Sequence, residues 1–110
     1  SDLDTTIMRT PGVLYQKRDD GTVTNLYNLK IINKTNKKMG IQLKPVKGFL
    51  DIEMIGGELE IEPNATLSRS FFLIADPSKL NAVSSTFKIE VLAGGKEIEQ
   101  VKTKFLGPVR

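Results

Sequence analysis

The stretch NLYNLKIINKT, Asn25 to Thr35, alternates in the manner of a β-strand, yet it carries three asparagines and ends in an Asn-Lys-Thr triplet. Tyr27, Leu29 and Ile31 share one phase, while Asn28 and Lys30 take the other. Successive side chains of a strand point to opposite faces, so an apolar set at i, i+2, i+4 puts the first phase on a core. Ile32, on the second phase, predicts partial cover there too. The asparagines read as polar punctuation: Asn25 where the strand begins, Asn28 on its outer face, Asn33 where the ladder stops.

The same period recurs on both sides of this stretch. Upstream, TTIMRT (5–10) is a first strand closed by Pro11-Gly12, and VLYQK (13–17) continues the same edge after the kink. Asp19-Asp20-Gly21 forms a tight turn, because glycine tolerates the positive φ that such turns demand. Downstream, TNKKMG (35–40) is a loop and IQLKPV (41–46) a strand with Ile41 and Leu43 inward. Pro45 has no N–H to give a ladder, so that strand lies at an edge or ends there.

FLDIEMI (49–55) and ELEIE (58–62) alternate clearly on either side of Gly56-Gly57, and this pair is expected to be the strongest hairpin of the chain. After the turn PNAT (63–66) comes LSRSFFLIA (67–75), apolar on both phases at its centre as a well-covered central strand should be. DPSKLNAV (76–83) holds the chain's helix-start chemistry, with Asp76 as cap and Pro77 in the first turn, but has room for about one turn. STFKIEVLA (85–93) and EIEQVKTKF (97–105) follow. Ile98 falls out of phase with Val101, Thr103 and Phe105, which predicts a bulge or a rim position near Glu99.

Seven to nine short strands linked by turns predict an all-β chain: an immunoglobulin-like β-sandwich of two antiparallel sheets, a single domain over residues 1–110. With no cysteine pair and no tryptophan it is not of the antibody type. The chain opens on Ser1 rather than Met, so it is expected to be a fragment cut from a longer protein.

Composition excludes much chemistry. Cysteine and histidine are both absent, which removes disulfides, thiolate nucleophiles, imidazole bases and the usual zinc sites. Sixteen basic against thirteen acidic residues leave a net charge of +3, a solubility statement more than a binding one. Lys17-Arg18 and the run Lys34, Lys37, Lys38 are the basic clusters. A nucleic-acid interface wants such groups interleaved with exposed aromatics. Here two tyrosines and five phenylalanines fall mostly at inward positions, so no nucleic-acid partner is expected.

Three constellations merit weighing. Asp51, Glu53, Glu58, Glu60 and Glu62 crowd the Gly56-Gly57 turn and could offer oxygen ligands to a hard cation from one face of a ribbon. Alternating glutamates also keep exposed edges from pairing, and that reading is preferred. Met8, Met39 and Met54 are soft ligands suited to cuprous copper, but lack close spacing, so core filling is preferred. Asn33-Lys34-Thr35 and Asn64-Ala65-Thr66 match the glycosylation pattern; amides satisfying loop backbone where the ladder stops account for both. No catalytic, cofactor-binding or metal residue is assigned.

RTPGVLYQ (9–16), followed by DGTVTNLYNLKIINKT (20–35), resembles the C-terminal domain of the FixG/CcoG family, accessory factors for assembly of cbb3-type cytochrome c oxidase. The pattern is Arg-x-Pro-Gly-x-x-Tyr, a glycine turn, Asn-x-Tyr-x-Leu and a closing Asn-Lys-Thr; FLGP (105–108) is similar too. The likeness of motif covers the first third of the chain. It implies an immunoglobulin-like domain facing the periplasm, tethered by upstream membrane helices to a cysteine-rich part that binds iron–sulfur clusters and serves copper handling. None of those cysteines or helices is present here. Any redox activity therefore lies upstream, and this domain is expected to be non-catalytic, without cofactor of its own, acting through contacts with oxidase subunits or copper-delivery proteins. The alternatives are a stand-alone periplasmic or surface sandwich used for adhesion or chaperone-like binding, and a weak methionine-based copper site.

Overall fold

A computed structural model describes residues 2–108; Ser1, Val109 and Arg110 of the expected 1–110 domain lie outside the described residues. Alternation dictates nine strands among them: β1 (Leu3–Arg9), β2 (Gln16–Lys17), β3 (Val23–Asn33), β4 (Met39–Pro45), β5 (Leu50–Ile55), β6 (Leu59–Ile61), β7 (Thr66–Ala75), β8 (Ser84–Ala93) and β9 (Lys96–Leu106). One sheet runs β1-β3-β7-β5, with β2 also on β3; the other runs β6-β4-β8-β9. All pairings are antiparallel. The fold is the immunoglobulin-like sandwich expected.

The core lies between the two sheets. Tyr27, Leu29 and Ile31 are wholly buried, as are Phe71 and Leu73 beside them on β7 and Ile89 and Val91 across the gap. Tyr27 stacks on its cross-strand partner Phe71 with ring centroids 5.2 Å apart. Phe87 meets Phe49 and Phe105 edge-on at 5.7 and 5.9 Å, an arrangement that suits the quadrupoles of the rings.

Local chemistry explains most of the punctuation. Gly21 takes φ +86°, and the Asp20 carboxylate before it accepts from both the amide and the hydroxyl of Thr22. The hydroxyl's hydrogen bond holds the Asp20 carboxyl below its usual range. Asp76 caps a single 3₁₀ turn, Pro77–Lys79, by accepting from the Ser78 amide. β2 extends the β1 edge along β3 as anticipated, but for two residues only. The pairing of β8 with β9 shifts register between Val91 and Leu92, skipping Ile98 on β9, which is the anticipated bulge.

One expectation fails. Gly56-Gly57 does not close a hairpin: β5 pairs with β7 in the first sheet, whereas β6 pairs with β4 in the second. The chain uses the positive φ of Gly56, +98°, to cross from one sheet to the other. Pro45 fits this plan. β6 covers β4 only from Met39 to Ile41, so Pro45 sits on a stretch bonded on one side alone.

Candidate functional site

The crossover decides the fate of the carboxylates. Asp51 and Glu53 stand on β5 of the first sheet, while Glu60 stands on β6 of the second, with Glu58 and Glu62 on either side of it. They do not share a ribbon face, and the idea of a single oxygen-rich site is corrected accordingly. Glu53 is held by Arg18 at 2.7 Å, and Lys38 reaches Glu60 at 3.1 Å and Glu62 at 3.9 Å. The hydrogen bond it donates to the Glu60 carboxylate keeps the Lys38 ammonium above its ordinary range. Among the described residues no three acidic side chains gather as metal ligands would.

The methionines are dispersed as well. Met8 projects from β1, opposite Asn28, and is 58% exposed. Met39 begins β4 in the other sheet, and Met54, paired with Phe71, packs half-buried against the core. Met8 on the outer face of its sheet is thus set apart from Met39 and Met54, which both pack against the core.

The asparagines prove more consequential than punctuation. Asn25 shares the inward phase of Tyr27 and is buried. Its Nδ2 donates to the Leu106 carbonyl at 2.7 Å, and its Oδ1 accepts from the Leu106 amide at 2.9 Å and from Arg9 Nε at 3.0 Å. Tyr27 Oη donates to the Lys104 carbonyl at 2.6 Å, and burial pushes its phenol well above the usual value. Both side chains thus tie β3 to β9, across the sandwich. Asn33 is fully buried, donating to the carbonyls of Lys37, Ile61 and Glu62 and accepting from the amide and hydroxyl of Thr35. The Asn-Lys-Thr triplet is a clamp, inaccessible to a glycosyl donor in the folded chain. Asn64 serves through its backbone, at φ +58°, with its amide bonded to the Thr35 carbonyl. Parity with Tyr27 was the available signal for Asn25 and Asn33; their polar identity masked it.

What remains open is the outer face of the β1-β3-β7-β5 sheet. Met8, Asn28, Ser70 and Ile55 stand in one cross-strand row over its four strands. A shallow cleft of about 670 Å³ follows this row, extended by Thr6 and Lys30. Met8 and Ile55 (45% exposed) flank a polar middle in which Ser70 Oγ approaches Asn28 Oδ1 at 3.5 Å. The lining has apolar groups for contact and hydroxyls and an amide for orientation, but no carboxylate to move a proton.

Comparison with known families decides the lineage. A family model described as "IG-like fold at C-terminal of FixG, putative oxidoreductase" matches residues 1–108. The chain belongs to the family of FixG C-terminal domains. A crystal structure of a FixG-related protein from Vibrio parahaemolyticus superposes with a TM-score of 0.75 at 27% identity, covering 99% of each chain. The N-terminal domain of PorA gives a TM-score of 0.49 at 15% identity over 94% of this chain and 96% of its own. No curated protein sequence matches. In FixG terms, the opening stretch is the β3 strand whose asparagines sew the domain shut, and the matched Arg9 and Tyr27 belong to the same seam. No helix among the described residues is long and apolar enough to cross a membrane.

Proposed function

We propose that this FixG C-terminal domain is a non-catalytic docking module of a membrane-bound oxidase-maturation protein, and that redox chemistry and iron–sulfur clusters belong to the upstream part. The domain faces the periplasm in this reading, held to the membrane by helices upstream. Its partners are oxidase subunits or copper-delivery proteins. The observation that carries it is the Met8–Asn28–Ser70–Ile55 row: exposed apolar side chains at both ends of a hydrogen-bonding strip, in a cleft whose lining carries no carboxylate. Exposed methionine is an adaptable contact residue and is enriched at protein interfaces.

The test is capture of oxidase subunits and copper-delivery proteins by the immobilised domain from solubilised membranes. Met8→Glu and Ile55→Glu, both on exposed side chains, should abolish capture without altering the circular dichroism. No capture at micromolar concentration, or capture indifferent to both substitutions, would refute the reading.

A further inference from the structure

The outer face of the β6-β4-β8-β9 sheet has a different chemistry from the cleft face. Lys44 on β4, Lys88 on β8, and Lys102 and Lys104 on β9 all occupy the phase opposite the buried Leu43, Phe87, Thr103 and Phe105, and all are exposed. Lys88 and Lys102 are direct cross-strand partners, and Lys104 stands one position along the same phase, opposite Thr86. Lys44 faces Glu90, the acidic residue among these rows. The ion pairs of the described residues involve Arg18 and Lys38, not these four lysines.

Two like charges set directly opposite each other across a strand pair are destabilising. Neighbouring strands lie about 4.8 Å apart and same-face residues about 7 Å apart along a strand. At physiological salt the screening length is about 8 Å, so the four ammonium groups add their fields. Glu90 offsets Lys44 alone, and Lys88, Lys102 and Lys104, with no carboxylate opposite them, leave a cationic plate on this face.

We infer that this lysine face rests on an anionic phospholipid bilayer surface. Three features favour a lipid plane over other polyanions. The face is a sheet surface, extended in two dimensions. Its charges are lysines, which are depleted at protein–protein interfaces, where arginine and aromatic side chains are enriched. No aromatic ring projects from it to stack a nucleic-acid base, since Phe87 and Phe105 point into the core. Lysines near an anionic headgroup layer each add to adsorption without any need for insertion. Resting on this face, the domain holds the Met8–Ile55 row away from the bilayer. The inference is independent of the identity of the row's partner and fails separately from it.

Co-sedimentation of the whole chain with vesicles tests it, comparing phosphatidylcholine alone with phosphatidylcholine mixed with phosphatidylglycerol. Binding is expected to the anionic vesicles only and to decline as salt is raised. Lys88→Glu converts the repelling pair into an attracting one, so its melting temperature should hold or rise while partitioning falls on the order of tenfold. Lys37→Glu makes the same change of net charge in the exposed loop before β4 and should retain binding. Equal binding to both vesicles, or equal loss in the two variants, overturns the inference. So does tighter, Lys88-dependent binding of single-stranded polyuridylate or of an acidic protein, which would assign the face to that partner instead.

Discussion

Asn25 and Leu106 pair as two strands would, the side-chain amide of one giving and taking a hydrogen bond with the backbone of the other, at 2.7 and 2.9 Å. β9 is the last strand of its sheet, so no neighbouring strand is there to bond these Leu106 groups on its open side. Asn25 fills the place of a missing neighbour, and Arg9 buttresses it from β1.

Asn25→Ala should therefore cost more than an average polar deletion. It strands the amide and carbonyl of Leu106 and removes the acceptor of Arg9 at once. Each partly buried group left without a partner costs about 1–3 kcal/mol. A loss of about 2–4 kcal/mol, read as a lower urea midpoint with an unchanged slope, is the expected outcome. Asn25→Asp keeps the acceptor but loses the donor, and should fall between.

Tyr27 carries a second tie and a pH signature. Tyr27→Phe preserves the stack on Phe71 and removes the bond to the Lys104 carbonyl, for an expected cost of about 1–2 kcal/mol. Burial raises the phenol's folded value above its ordinary 10.0, and nearby Arg9 offsets this only in part. The stability linked to the neutral phenol is thus complete below pH 10 and declines as pH rises beyond it, because the unfolded chain releases a proton that the native chain retains. The slope is at most about 1.4 kcal/mol per pH unit. Denaturant midpoints measured on the alkaline side should fall more steeply for the Tyr15→Phe protein, whose sole phenol is Tyr27, than for the double Tyr15→Phe/Tyr27→Phe protein. Parallel declines would show that Tyr27 is not the linked group.

The fold was legible because side-chain parity and turn chemistry are local properties. Tyr27, Leu29 and Ile31 declare a core face whatever strand they later meet, and Ile98 declares a bulge by breaking its own phase. Partner choice is not local. LDIEMI and LEI flank a Gly-Gly turn just as a hairpin's arms would, and nothing in either segment says that β7 and β4 will claim them separately. The same blindness affected the site. Five carboxylates near in sequence were parted by the crossover, while Met8 and Ile55, 47 positions apart in sequence, were brought to one cleft by two intervening strands.

Asn33 and Thr35 should behave as one unit. Asn33→Ala removes a donor for three carbonyls and the acceptor of two Thr35 groups in a fully buried setting, with an expected loss of about 3–4 kcal/mol. Thr35→Ala removes one hydroxyl from the partly exposed rim, for about 1 kcal/mol. The two lesions share a partner, so the double variant should be less destabilised than their sum, a coupling that a double-mutant cycle measures directly. Strict additivity would mean that the clamp is not cooperative.

Gly107, just past β9, fits its corner of the sandwich by being small. Its amide bonds to the Val83 carbonyl at 3.0 Å, and a Cβ placed there would lie 2.7 Å from Leu80 Cδ1 and 3.6 Å from Phe105 Cε1. Leu80 is itself buried, so its methyl cannot simply swing into solvent. Gly107→Ala should overpack this corner by about 1–3 kcal/mol. Leu80→Ala alone should cost about 2–5 kcal/mol by leaving a cavity. Together the new methyl occupies part of the space vacated by Leu80, and the double variant should be more stable than Leu80→Ala alone. Thermal melts of the four proteins decide it: if Gly107→Ala destabilises the Leu80→Ala background as much as the wild type, the glycine is required for its backbone and not for the room it leaves.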